Sequence, residues 1–209
     1  MLGFINHALP LTRATRGPAI SPRTVKVRGP TMKTREMSKS VPFLLKPKNL
    51  EGLPASYDFD PLLISDYINV RFLQAAEIKH GRICMLAAVG LIVPEFFTFP
   101  NPYFPKMLAV DAHNYFINTG GMSQILLFIA AFEGISCYAL KQTIDGKHEP
   151  GYFGFDPLGL GKDPVKFKKY QANEIMNGRL AMIAVGGMIH QMWISKMGVI
   201  EQLLNFKTL

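Results

Sequence analysis

The stretch A-E-I-K-H-G-R-I-C-M-L-A-A-V-G, residues 76–90, sets Glu77, Lys79, His80 and Arg82 directly ahead of a long apolar run. The chain writes it again 97 residues later as N-E-I-M-N-G-R-L-A-M-I-A-V-G-G, residues 173–187. Each copy keeps a Glu, then His or Asn three residues on, then Arg two further. A second motif travels with the first: Y-D-F-D-P-L-L-I-S at 57–65 and Y-F-G-F-D-P-L-G-L at 152–160, the F-D-P triplets 96 residues apart. Two motifs whose offsets differ by only one residue indicate a duplicated unit.

The pattern predicts a long helix through each copy. The first is expected from about Asp66 to Val93, with Ser65 or Asp66 as its cap and Pro94 ending it. A second covers residues 121–142, G-M-S-Q-I-L-L-F-I-A-A-F-E-G-I-S-C-Y-A-L-K-Q. The third opens with Asp163 as cap and Pro164 at the first helical position, and continues to about Lys196 with Gly198 as its stop. At 1.5 Å per residue the outer two are roughly 40–50 Å long, enough to cross a bilayer while tilted. The piece V-I-E-Q-L-L-N-F, residues 199–206, is amphipathic and suits an interface.

Composition favours a membrane. The chain is 48% hydrophobic and 18% charged, against about a quarter charged in soluble domains. From Ile125 to Leu140 the sole charge is Glu133. Bases also sort by side: Lys141, Lys147, Lys162, Lys166, Lys168 and Lys169 lie between the second and third helices, whereas residues 94–120 hold only Lys106. Three crossings then put the N-terminus and the second connection on one side, as the positive-inside rule asks. The expected fold is an all-α membrane protein with three transmembrane helices, the first and third related by a pseudo-two-fold axis. Gly90, Gly186 and Gly187 are the expected points of close approach.

Residues 1–40 form a separate basic arm, with eight Lys and Arg against Glu36 alone. Its Arg, Ser and Thr content suits a transit peptide; a retained arm on an anionic surface is the other reading. Residues 41–209 form the three-helix domain, with 15 bases and 14 acids. That balance gives nucleic acid no basic face. Cys84 and Cys137 are expected to be buried fillers, since nothing around them suggests a disulfide or metal motif.

On a helix, residues five apart sit about 140° round the axis, so Glu77 does not pair with Arg82, nor Glu174 with Arg179. If the equivalent helices cross near the repeat, Glu77 faces Arg179 and Glu174 faces Arg82. Each lone charge in hydrocarbon costs roughly 3 kcal/mol or more on insertion scales, and reciprocal pairing relieves both helices. His80 and Asn177 lie about 60° from their Glu, off that seam. A neutral imidazole, an amide oxygen and a carboxylate neutralised by Arg can each give one lone pair to a metal without adding net charge. Mg²⁺ in a flat macrocycle accepts one such axial ligand. Glu133 and Gln191 belong to the same class; a helix-to-helix hydrogen bond is the plainer reading of each.

E-I-K-H-G-R-I-C-M-L-A and E-I-M-N-G-R-L-A-M-I-A, each preceded by F-D-P-L, resemble the light-harvesting chlorophyll-binding superfamily, over about Tyr57 to Leu204. H-G-R-I-x-M-L-A and the S-V-P-F-L-L-K-P stretch at 40–47 are similar to the fucoxanthin-chlorophyll-like, chlorophyll a/c antennae of red-lineage algae. The resemblance implies that Glu77 and Glu174 ligate chlorophylls through the oxygen not engaged by Arg179 and Arg82. It implies the same role for His80, Asn177, Gln191 and Glu133. Gln124 matches a further ligand position, although its spacing to Glu133 departs by one residue from the green-plant pattern. His190 has no counterpart, and stays open between a ligand and an interfacial His. The segments around Asp60 and Asp156 are implied to hold carotenoid head groups; as Asp-Pro turns they also cap the helix starts.

The implied protein is a multi-pass antenna of the plastid thylakoid, binding chlorophyll a, chlorophyll c and carotenoids of the xanthophyll type. Its implied partners are a photosystem core, of type I or II, neighbouring antenna subunits and thylakoid lipids. No nucleophile, base and orienter stand together outside the ligand positions, so an enzyme is not expected. A photoprotective quencher on the same scaffold is one rival; the acid-poor stretch 94–120 speaks against pH sensing. A small transporter is another, since duplicated halves with mid-membrane charges occur there.

Overall fold

A computed structural model of the chain describes residues 36–205. The expected arm therefore lies almost wholly outside the described residues. Among these the structure is helical, with no strand and a single bridge between Met37 and Leu45. In chain order the helices are α1 (Ile64–Tyr67), α2 (Val70–Phe96), α3 (Ala109–Asn118), α4 (Gly121–Ile144), α5 (Pro164–Ser195) and α6 (Val199–Leu204).

The first long helix departs from expectation at both ends. Asp66 belongs to the isolated turn α1, after which Ile68 and Asn69 are not helical. Asn69 is the cap, its side chain accepting from the Arg71 amide at 2.9 Å. Pro94 lies inside α2, which runs on to Phe96. A proline within the final turn deletes one hydrogen bond to the preceding turn, and the Phe97 amide still reaches the Val93 carbonyl at 3.0 Å. For α5 the start is as the sequence suggests, with Asp163 accepting from the Val165 and Lys166 amides. Its stop is Lys196 in the left-handed region, φ 55°, rather than a glycine. Gly198 instead precedes α6, where a Cβ would fall 2.7 Å from the Glu95 carboxyl carbon. Glu95 accepts the Val199 and Ile200 amides and so ties α6 to the end of α2. Residues 94–120, which carry no long apolar pattern, contain the additional helix α3.

The α2–α5 pair forms the centre. They cross at Gly81 and Gly178, where a Cβ on either glycine would sit 3.0 Å from the other's Cα. Gly90, Gly186 and Gly187 are not the close approach: nothing lies within 4 Å of a Cβ built on any of them. Helices that cross at an angle diverge away from the crossing, and these glycines lie roughly 12–14 Å along the axis from it. Ile78 and Ile175 are buried on the two helices, at 7% and 4% exposure.

The duplication extends into the approach loops. Ala55, Asp58 and Leu63 have φ of 52°, 56° and 53°, and the residues 96 later, Gly151, Gly154 and Gly159, have 79°, 73° and 64°. One backbone path is built twice, with glycines only in the second copy. Asp60 takes the Ile64 and Ser65 amides at 3.0 and 2.9 Å, and Asp156 takes those of Leu160 and Gly161 at 3.0 and 2.9 Å.

Among the described residues, only α4 is both long and apolar enough by composition to cross a membrane, and none of its most apolar stretch is buried. In α2 and α5 charged side chains interrupt that pattern. Large apolar side chains face outward throughout, including Leu86 and Ile183 on the two central helices. A face of this kind needs lipid, apolar ligand or protein against it.

Candidate functional site

Helical geometry sorts the side chains of the repeat into three directions. Taking Glu77 as zero, Gly81, Ile78 and Arg82 lie at about 40°, 100° and 140°, Lys79 at about 200° and His80 at about 300°. The glycine and isoleucine form the seam, with acid and base flanking it. Across the seam Arg179 Nε donates to Glu77 Oε1 at 2.7 Å, and Arg82 Nε donates to Glu174 Oε1 at 2.6 Å. All four side chains are about one-third exposed. Each guanidinium also reaches an approach loop: Arg179 Nη1 donates to the Ala55 carbonyl at 3.0 Å, and Arg82 Nη1 to that of Gly151 at 2.9 Å. Each arginine thus joins its own helix, the partner's carboxylate and the loop leading to the partner.

Lys79, to which the sequence reading assigned no role, points to α4. Its Nζ donates to Glu133 Oε2 and, at 3.1 Å, to Ser136 Oγ. Ser136 Oγ lies 3.1 Å from the same carboxylate oxygen. Glu133 is therefore not an isolated charge on the middle helix. The signal was present in the spacing, since Lys79 lies on neither the seam nor the His80 face.

His80 and Asn177 sit on the outward direction of their helices, and both are exposed. The His80 Nδ1 lies 2.8 Å from the Ala76 carbonyl, one turn back. A carbonyl only accepts, so the ring proton is on Nδ1 and the Nε2 of a neutral ring keeps its lone pair. Asn177 does the same with an amide: Nδ2 donates to the Asn173 carbonyl at 2.9 Å, leaving Oδ1 as an acceptor. Gln191 is exposed near the far end of α5, and Gln124 is exposed near the start of α4, about 180° round from Glu133. Cys137 is exposed and Cys84 half-buried, so neither is the buried filler expected; Cys137 lies in α4, whose most apolar stretch has no buried residue.

The carboxyl groups of Asp60 and Asp156 titrate below the ordinary carboxylate range. For Asp60 burial presses upward, and hydrogen bonds from Ser65 and Ile64 outweigh it. For Asp156 the Gly161 amide is the leading cause, opposed by burial and helped by the Leu160 amide and Lys162. Both oxygens of each are taken by backbone amides, which makes these residues turn locks.

Glu77, Glu174 and Glu133 each commit one named oxygen to a cation on another helix, while His80 and Asn177 each have their donor tied to the preceding turn. Such groups suit a metal that needs one further neutral N or O ligand. The residues fit the magnesium of a macrocycle, and among the described residues no group of His, Cys, Asp or Glu gathers to hold a free metal ion. The chain belongs to the chlorophyll a/b-binding protein family, whose model matches residues 46–193. It is 33% identical over 223 aligned positions to the chloroplastic light-harvesting complex stress-related protein 1 of Chlamydomonas reinhardtii, covering 94% of this chain and 87% of that one. With the fucoxanthin-chlorophyll a-c binding protein of Chattonella marina var. antiqua it shares 36% identity, over 69% of this chain and 68% of the other. The chlorophyll a-b binding protein 3 of Pisum sativum is 29% identical over 75% of this chain and 70% of its own.

Proposed function

We propose that this chain is a light-harvesting antenna of the plastid thylakoid membrane, which absorbs light and passes excitation to a photosystem core and to neighbouring antenna subunits. In this reading α2, α4 and α5 cross the membrane, residues 41–209 are the pigment-binding domain, and residues 1–40 are a transit peptide or basic arm. Glu77, Glu174, Glu133, His80, Asn177 and Gln191, with Gln124, supply single axial ligands to chlorophyll magnesium. Arg82 and Arg179 hold two of those carboxylates neutral and aimed. Chlorophyll a with chlorophyll c is the favoured set, together with xanthophylls near the Asp60 and Asp156 turns; the likeness to fucoxanthin-chlorophyll a-c binding proteins supports it. When bound, the pigments supply the absorbing and energy-transferring states.

The observation that carries the reading is the acceptor atom left free on each of Glu77, Glu174, Glu133, His80 and Asn177. Two carboxylates are neutralised across the seam and one across α2–α4. The protein's task is then positional: it holds rigid donors at fixed places on three helices, and makes or breaks no bond.

Reconstitution of the purified chain with chlorophyll a, chlorophyll c and xanthophylls, followed by a pigment-to-protein count, tests this. Gln191→Leu should lose one chlorophyll while helix content and the remaining pigments persist. An unchanged count with a lower melting temperature would make Gln191 a hydrogen-bonding strut. The similarity to a stress-related light-harvesting protein over 94% of the chain favours a second reading, dissipation of excitation on the same scaffold. The fluorescence lifetime of the reconstituted protein separates the two, because an antenna keeps a long lifetime and a quencher shortens it.

A further inference from the structure

His190 lies outside every role given above. It is exposed on α5, thirteen residues beyond Asn177, and its Nδ1 lies 2.8 Å from the Gly186 carbonyl one turn back. This is the geometry of His80, whose Nδ1 lies 2.8 Å from the Ala76 carbonyl. The same reasoning applies: the ring proton is fixed on Nδ1, and the Nε2 of a neutral ring is left as an outward lone pair. The ring is further held by Trp193, edge to face, with centroids 5.5 Å apart and planes at 76°. The turn behind it is bare, since nothing stands within 4 Å of a Cβ placed on Gly186 or Gly187.

We infer that His190 is the axial ligand of a further chlorophyll-type magnesium macrocycle, at a site distinct from that of Gln191; the inference rests on the coordination reading proposed above. Distinctness follows from the helix. His190 is about 100° round the axis from Gln191 and about 140° from Asn177, so it addresses a different neighbour from either. The two glycines preceding His190 leave room for a flat ring to lie against the backbone, while Trp193 stops the imidazole from turning. A histidine that merely met water or a lipid head group would gain nothing from both restraints. Surrender of its N–H to the helix leaves the Nε2 lone pair, and a lone pair is what a metal requires of its ligand.

The test uses the full chain reconstituted with chlorophyll a and xanthophylls, in three variants beside the unaltered protein. His190→Phe keeps a ring against Trp193 but has no lone pair, and should bind one chlorophyll fewer. His190→Asn can form the Asn177 clamp with an oxygen donor, and should retain the full count. His190→Phe combined with Gln191→Leu should lose two, because the sites are separate. A full count in His190→Phe, an equal loss in the Phe and Asn variants, or the loss of only one chlorophyll in the double variant would overturn the inference. His80→Leu serves as the reference. If it loses one chlorophyll while His190→Phe loses none, the coordination reading stands and the extra site falls. If neither loses any, both fall.

Discussion

Replacement of Gly81 by Ala puts the α2–α5 crossing to the test. The new Cβ would stand 3.0 Å from the Gly178 Cα and 3.6 Å from its carbonyl carbon. Ordinary carbon contacts begin near 3.5 Å, so the helices must part by about half an ångström. The neighbour is backbone, which cannot swing aside as a side chain would. The displacement also works against the two guanidinium–carboxylate contacts of 2.6 and 2.7 Å flanking the seam. Overpacking of this size costs about 1–3 kcal/mol, or a fall of about 2–12 °C in melting temperature for a domain of this length. Gly90→Ala provides the control, since its Cβ meets nothing within 4 Å. Removing a helical glycine there should be neutral or stabilising by up to about 1 kcal/mol. Thermal melts of both variants in detergent, followed by circular dichroism, give the comparison. If Gly81→Ala melts with or above Gly90→Ala, the helices do not cross at Gly81 and Gly178.

Arg82→Leu should destabilise by about 3–5 kcal/mol, by stranding Glu174 and releasing the Gly151 loop. Arg82→Leu with Glu174→Leu should recover much of that in a thermal melt while still losing a chlorophyll. Glu95→Ala removes the acceptor for the Val199 and Ile200 amides and should make the C-terminal turn the first point of protease cleavage. Folded pKa values below the ordinary range mean that Asp60 and Asp156 stabilise above their unfolded values, and that this contribution is lost as pH falls through the folded ones. Stability should therefore drop below about pH 4, and Asp60→Asn with Asp156→Asn should flatten that acid limb in melts taken across pH.

The duplicated unit was legible because covalent spacing is conserved information: two motifs with offsets of 96 and 97 residues specify equivalent helices before any contact is known. The N-terminus of α5 was legible for a local reason, an Asp followed by Pro. What escaped depended on distance in space. Gly90, Gly186 and Gly187 look like contact residues because they are small and lie in apolar runs. The crossing point is fixed instead by where the charges must meet, and Gly81 and Gly178 sit beside them, four residues after each Glu. Likewise α3 lacks a long apolar face and hides among turn-forming residues. The left-handed Leu63 and Lys196 carry side chains that no turn rule selects, and only the glycine in the second copy, Gly159, hints at the first.

The place where the repeat fails is as informative as the repeat. At the register of Lys79 the second copy has Met176, an exposed apolar residue. The seam residues must match, because a two-fold crossing presents each helix with the other's chemistry. The third direction has no such constraint. Lys79 is answered by Glu133 and Ser136 of α4, which packs along α2. In the proposed membrane-spanning arrangement, a charge at 176 would have to find another partner or meet lipid, at a cost of roughly 3 kcal/mol. A duplicated helix therefore keeps its charge only where a neighbour answers it. The single middle helix breaks the symmetry, and the Lys79–Met176 difference records on which side it lies. The His80 and Asn177 direction keeps an exposed acceptor in both copies, each with its N–H tied to the preceding turn, as the proposed ligand role requires.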